Sequence, residues 1–356
     1  MPAESNHDIH DMEPFKSLRG AVVPAFETHR GSLFQGDCIS LMPEIQSDSI
    51  DLVFADPPFN LGKRYPSEMN DSLMEDDYLQ WSYDWTSECA RILKPGGSFF
   101  LFNLPRWNLA LGEHLRKQLT FRNWIAIEIA YRLPIQGRLY PSHYSLLYYV
   151  KGAKPAVFKP DRLPMETCRH CHGETKDYGG YKDKMNPLGI NLSDVWSDIP
   201  PVRHAKFKRR VGSNELSIKL LDRVIRMASE EGHLVFDPFG GSGTTYAVAE
   251  ILNRRWIGME IGPTNGIIER LHPGNLELER RYLAEMRAEL NHLFPPEVAA
   301  ARIADGMWVP GNIPHGTKRG KKAQVIEQPM LCFNETADQL KQFGRKHKQR
   351  KYSGVI

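Results

Sequence analysis

The sequence predicts an α/β fold: a doubly wound, mostly parallel sheet interrupted by an inserted module. Three observations carry that prediction. Short apolar runs alternate with segments of helical apolar spacing from residue 32 to about 150, and again from 217 to 261. Several of those runs, such as 51–55, are almost continuously apolar, as strands buried on both faces are. Between the two alternating stretches, from Lys151, the chain turns rich in Lys, Arg, Pro and Gly and the periodicity fades.

Residues 1–30 show little periodic pattern and predict an irregular arm. Residues 32–37 form a short strand ending at an acid, and 38–45 a short helix. Strand 51–55 follows. Between 75 and 93, Tyr78, Trp81, Trp85, Cys89 and Ile92 recur at helical spacing, and Lys94-Pro95-Gly96-Gly97 stops that helix. Strand 98–102, helix 108–119, strand 124–131 and strand 145–150 complete a first half, 31–150. Residues 151–212 form the inserted module. Alternation resumes in 213–272, with helix 217–229, strand 233–236, helix 244–252 and strand 256–261. The last region, 273–356, opens with a charged amphipathic helix over 277–293 and continues irregular and basic.

Composition narrows the class. A chain of 356 residues, 41% hydrophobic and 25% charged, supports a sizeable core. The five cysteines have no regular spacing, which argues against a disulfide scaffold. No apolar run reaches membrane-spanning length, and the N-terminus has no basic start followed by an apolar stretch. A cytoplasmic setting with no membrane partner is expected. The net charge of +3 hides an uneven distribution: 151–212 carries 13 Lys and Arg against 7 Asp and Glu, and 308–356 carries 10 against 3. Two basic segments on an acidic body suggest a polyanionic partner, although charge alone fits solvated loops and a free tail equally well.

The stretch HLVFDPFGGSGTTYAVAEILNRRWIGMEI, residues 233–261, carries the cofactor signal. A strand ends at Asp237, a glycine turn leads into a helix near Thr244, and a second strand ends at Glu260, 23 residues after Asp237. Such a β-α-β unit binds an adenosine-containing cofactor at its strand ends, with the second acid placed to accept ribose hydroxyls. The dinucleotide pattern G-x-G-x-x-G is broken at Tyr246, and there is no Gly-Lys-Ser/Thr of a P-loop. Asp237 would repel a phosphate and attract an ammonium. S-adenosyl-L-methionine has an ammonium and a sulfonium and no phosphate, so the charges favour it.

FADPPFNLG, residues 54–62, carries the second signal. The lone pair of an exocyclic amino group on a base is delocalised into the ring. Two acceptors that hold both N–H hydrogens can turn that lone pair toward a methyl sulfonium and stabilise the charge that develops on nitrogen. Asp56 supplies a carboxylate and Pro57 a main-chain carbonyl. Pro57 and Pro58 stiffen the backbone, and Phe59 offers a ring on which a base can stack. A base handled in this way must first leave the duplex.

Together these pieces resemble the amino-group DNA methyltransferases that modify adenine N6 or cytosine N4. The resemblance rests on FADPPFN (54–60), FDPFGGSGTT (236–245) and WIGMEI (256–261), with GDC (36–38), RILKPGG (91–97) and SLLYYVK (145–151), and covers about 32–270. DPPF precedes the glycine turn, which is the permuted order of the family's β class, and there the intervening module is the target-recognition domain. The resemblance implies a Rossmann-like sheet and direct methyl transfer without a covalent enzyme intermediate. It assigns Asp56, Pro57, Pro58 and Phe59 to the base. Asp237, Phe239, Gly241, Gly243 and Thr244 go to the methionine end of the cofactor, Glu260 to its ribose, and Asp37 with Cys38 to its adenine edge. Departures are Asn214-Glu215-Leu216-Ser217, where the family usually has Lys-Pro, Gly262-Pro263-Thr264-Asn265 in place of an aromatic, and Phe59 in place of the commoner Tyr. Asp at the first motif position is typical of adenine enzymes, so adenine N6 is expected, with cytosine N4 as the alternative. A catalytically silent DNA-binding protein on the same fold would have lost Asp56 or the glycine turn, and neither is lost.

Double-stranded DNA is then the expected polyanion. KDYGGYKDK (176–184) and RHAKFKRR (203–210) interleave cations with aromatics, and Lys182, Lys184, Lys206, Lys208, Arg209 and Arg210 are the expected DNA-binding residues. Cys168-Arg169-His170-Cys171-His172 holds one CxxC without the second pair that tetrahedral zinc needs, so no metal site is assigned. The resemblance implies a homodimer, and it leaves open whether a cognate restriction endonuclease accompanies the enzyme.

Overall fold

A computed structural model describes residues 22–62, 71–129, 136–137, 139–165, 182–200 and 215–310. In chain order β1 (Phe26–Glu27) and β2 (Gly31–Gln35) lead to α1 (Cys38–Leu41), β3 (Ile50–Ala55), α2 (Glu75–Ile92), β4 (Leu93–Asn103), α3 (Pro105–Leu115), β5 (Thr120–Glu128) and β6 (His143–Val150). The segment between β6 and the next helix contributes β7 (Arg162–Leu163), β8 (Ile190–Asn191) and β9 (Val195–Trp196). Then follow α4 (Ile218–Ala228), β10 (Leu234–Asp237), α5 (Thr244–Ile251), β11 (Arg255–Glu260), α6 (Asn265–Leu271), α7 (Pro273–Arg287) and α8 (Pro296–Ala304).

Nine of the described strands form one sheet in the order β1-β2-β11-β10-β3-β4-β6-β5-β9. From β2 to β4 neighbouring strands run parallel; β6 and β5 return antiparallel, and β9 lies parallel to β5 at the far edge. Strand alternation divides the core into two layers. Leu33, Leu52, Phe54, Phe100 and Val235 face α4, α5, α6 and α7, whereas Phe34, Val53, Ala55, Phe99, Leu101 and Phe236 face α1, α2 and α3. The chain is thus a doubly wound, Rossmann-like, mostly parallel α/β sheet, as the alternation predicts.

Several elements differ from expectation. Residues 38–45 are not one helix: α1 ends at Leu41 and Met42–Glu44 forms a 3-10 turn with Pro43 in its first positions. Lys94 to Gly97 does not separate a helix from a strand. β4 starts at Leu93, and the glycine pair forms an irregularity inside it, with Gly96 at φ 81° and a register shift between Ile50 and Leu52 on β3. The N-terminal arm contains β1, paired antiparallel with β2 (Phe26 opposite Leu33). The charged helix runs Pro273–Arg287, and the region after it contains a further helix, α8.

Among the ties of the segment between β6 and α4 are two bidentate ion pairs. Asp161 binds Arg226 through both oxygens at 2.7 and 2.8 Å, and Asp198 binds Arg223 at 2.6 and 2.8 Å, both on α4. Burial pushes the Asp198 carboxyl up, but Arg223 and Lys219 more than offset it and hold it down at about 2.

Candidate active site

β3 delivers the acceptor loop at the C-terminal edge of the sheet. Asp56 is half-buried there, Pro57 is buried, and Phe59 is 9% exposed, its ring set against Phe102 at 6.1 Å and Tyr144 at 5.8 Å between centroids. The carbonyls that follow are held one by one. The Tyr78 hydroxyl donates to Pro58 O at 2.8 Å, the Trp107 indole to Phe59 O at 2.8 Å, and the Arg106 guanidinium to Asn60 O at 3.4 Å. Asn60 sits at φ 53°, a left-handed turn that Asn tolerates. Asp71, 3% exposed, accepts from Asn60 N at 2.8 Å and Leu61 N at 3.1 Å, and Asn60's amide pairs in both directions with the Leu73 backbone. Every hydrogen bond in this set stiffens the backbone that presents Asp56 and Pro57.

β10, hydrogen-bonded to β3 (Val235 opposite Leu52, Phe236 opposite Val53), delivers the glycine turn beside that loop. Gly241 and Gly243 take φ 52° and 73°, and Gly243 is the N-cap of α5. A Cβ on Gly241 would meet only Phe239 O, at 3.9 Å, so its face of the turn is open to a ligand. Asp237 is 3% exposed and accepts from Phe239 N at 2.9 Å and Thr245 Oγ1 at 2.5 Å, which braces the turn from below. Burial pushes its carboxyl up to about 7. Phe239 leaves the turn to pack on Trp85 at 4.9 Å and Trp81 at 5.8 Å.

Glu260 ends β11 with its carboxylate against the turn, accepting from Gly241 N at 2.8 Å and Gly262 N at 2.7 Å; burial raises its pKa. Asp37, exposed at the N-cap of α1, lies one strand further, where Gly36 N donates to Glu260 O at 2.9 Å. Cys38 behind it is buried, and burial, with the Asp37 charge second, pushes its thiol up to about 12, so it stays neutral.

The structure therefore brings Asp56, Pro57, Pro58 and Phe59 to one strand end, and Asp237, Phe239, Gly241, Gly243, Thr244, Glu260, Asp37 and Cys38 to the adjoining ends. Tyr246, which breaks the dinucleotide pattern, is fully buried and donates to Asp237 O at 2.9 Å. Gly258 makes the room: a Cβ there would lie 2.4 Å from the Tyr246 ring. Sequence reasoning missed Asp71, Trp107, Tyr78 and Arg270. Arg270, 2% exposed and paired with Glu279, donates to Thr244 Oγ1 at 2.7 Å and Ser242 O at 3.2 Å, holding the turn from behind. Of the expected DNA contacts, Lys182 lies 5.8 Å from the Trp308 ring centroid and Lys184 is exposed. Lys206, Lys208, Arg209 and Arg210 lie outside the described residues, as do Cys168 and Cys171. No group of three or more potential metal ligands occurs among the described residues. None of the described helices is long and apolar enough to cross a membrane.

Two acids, Asp237 and Glu260, hold the turn, Asp37 lies at the next strand end, and the guanidinium bound to the turn, Arg270, is already paired with a glutamate. That donor set fits a cationic adenosine cofactor and opposes a pyrophosphate. A doubly wound sheet with such a turn next to a braced DPPF loop has the build of an S-adenosylmethionine-dependent transferase. A family model for DNA methylases matches residues 50–265, and the chain belongs to that family, whose cofactor is S-adenosylmethionine. The type II methyltransferase M.BamHI of Bacillus amyloliquefaciens is 50% identical over 304 residues, 85% of this chain and 71% of its own length. The DNA adenine methyltransferase YhdJ of Escherichia coli is 29% identical over 272 residues, 74% of this chain and 89% of its own. Among solved structures, a cytosine-N4-specific PvuII DNA methyltransferase aligns with a TM-score of 0.49 and 20% identity over 74% of this chain and 95% of that one.

Proposed function

We propose that this enzyme methylates an exocyclic amino group of a base in double-stranded DNA, at a specific site, after the base leaves the helix. The observation that carries the proposal is the pairing of β3 with β10, which sets a braced DPPF loop beside the glycine turn. S-adenosylmethionine supplies an electrophilic methyl. Asp56 and the Pro57 carbonyl hold the two N–H groups, aim the nitrogen lone pair and stabilise its developing positive charge. One N–H proton leaves through Asp56 toward solvent as the N–C bond forms and the C–S bond breaks.

Adenine N6 is the first target. Asp56 at the motif's first position supports it, and so does the adenine enzyme among the relatives. Cytosine N4 is the second, because its exocyclic amino group would meet the same two acceptors, Asp56 and the Pro57 carbonyl. Residues 151–212 act as the target-recognition module, with Lys182, Lys184, Lys206, Lys208, Arg209 and Arg210 on phosphates. The type II naming of M.BamHI supports a restriction endonuclease partner, and a homodimer is the proposed assembly.

Transfer of labelled methyl to DNA followed by nucleoside chromatography tests the proposal. Label in N6-methyladenosine supports the first target, and label in N4-methylcytosine replaces it with the second. Asp56→Ala is expected to abolish transfer with cofactor affinity nearly unchanged. Retained turnover refutes the role of Asp56.

A further inference from the structure

We infer that Arg106 grips a backbone phosphate next to the extruded nucleotide. The inference rests on the DNA-methyltransferase reading above and adds a residue that no motif contains. Arg106 follows Pro105 at the start of α3, just beyond the end of β4. β4 borders β3 on the side away from β10, so Arg106 stands on the flank of the acceptor loop opposite the glycine turn. Its side chain is exposed, yet its position is fixed twice. The guanidinium carbon lies 4.2 Å from the centroid of the Trp107 ring, and Nη2 reaches Asn60 O at 3.4 Å. The neighbouring Trp107 is buried and holds Phe59 O. Two consecutive residues of α3 thus hold two consecutive carbonyls of the loop that presents Asp56.

A guanidinium has five N–H donors, and the Asn60 carbonyl takes one. Among the described residues Arg106 makes no salt bridge, whereas Arg91, Arg223, Arg226, Arg270 and Arg287 all face carboxylates. A cation held over an indole beside the acceptor loop, without a counter-carboxylate among the described residues, is placed for the bidentate phosphate geometry that Arg favours. Extruding a nucleotide swings its flanking phosphates out of the helical path, and a fixed cation beside the acceptor loop selects that swung-out backbone.

The test uses the full-length enzyme and a duplex carrying its own target sequence, mapped by sequencing the methylated base in DNA of the expressing host. Affinity is measured against salt for wild type, Arg106→Ala and Arg106→Lys. One phosphate contact contributes about 0.9 to the slope of log K against log salt. Arg106→Ala is expected to flatten the slope by about that amount, and Arg106→Lys to retain most of it. Single methylphosphonate substitutions flanking the target base are expected to weaken wild-type binding at one position and to have no further effect there on Arg106→Ala. An unchanged slope, or a methylphosphonate penalty that persists in Arg106→Ala, overturns the inference. Unchanged S-adenosylmethionine affinity shows that the variant is folded. If no duplex is methylated by wild type, the functional proposal itself fails; if methylation proceeds with an unchanged slope, only the role of Arg106 does.

Discussion

Asp237 couples the glycine turn to pH. Its carboxyl is 3% exposed, and burial, opposed by hydrogen bonds from Thr245 and Phe239 and reinforced by the Glu260 charge, raises it from 3.8 to about 7. An acid whose native pKa is raised keeps its proton in the folded chain at pH values where the unfolded chain has already released it. Stability therefore falls as pH rises from about 4 to about 7 and levels off above that. The full effect is on the order of 4 kcal/mol, of which more than half develops between pH 5 and 8. Asp237→Asn keeps the shape and removes the titration. Urea unfolding of both proteins across that range should show the stability of wild type relative to the variant falling by about 2–3 kcal/mol as pH rises. Saturating S-adenosylmethionine, whose positive charges favour the ionised carboxylate, should shrink the difference. Cofactor affinity should climb with pH up to about 7. Parallel curves for wild type and variant, within about 0.5 kcal/mol, would refute the account of Asp237 as a buried, proton-holding brace.

Two further outcomes follow from neighbouring contacts. Asp71→Ala leaves the amides of Asn60 and Leu61 without their acceptor, and is expected to cost about 2–4 kcal/mol in denaturant unfolding and to lower the single-turnover rate at least about tenfold, with cofactor affinity unchanged. Gly243→Ala forces a side chain into φ 73° and 2.8 Å from Ile267 Cγ2; a loss of about 1–3 kcal/mol in cofactor binding is expected by calorimetry, and wild-type affinity would contradict it.

The parts of the site that lie in short runs of sequence were legible: DPPF at a strand end, the glycine turn between two acids, and the apolar alternation that fixes β3 and β10. What escaped acts across the chain. Asp71 looks like any acid in a loop until Asn60, eleven residues earlier, turns left-handed above it. Trp107 looks like a core residue on an amphipathic helix, and only the loop's carbonyl, 48 residues away in sequence, gives its indole nitrogen a purpose. Arg270 sits among charged helical residues that read as solvent-facing, yet burial with Glu279 places it under Thr244. β1 and β9 are two residues each, too short for periodicity to register, and they exist because the sheet offers them an edge. Lys94 to Gly97 misled because proline and glycine mark a helix stop and a strand irregularity equally well.

The strand order also sets when the enzyme comes into being. β2 and β3 never touch, because β11 and β10 lie between them. Both of those strands are made long after β2 and β3. A growing chain therefore holds β3 with one edge unpaired until residue 237 has emerged, and β2 without its neighbour until residue 260 has. The two strands that close the gap, β10 and β11, flank the glycine turn. A chain that ends before β10 can carry the DPPF loop, but it has no glycine turn beside it, so the two halves of the site come together only with the last strands of the sheet.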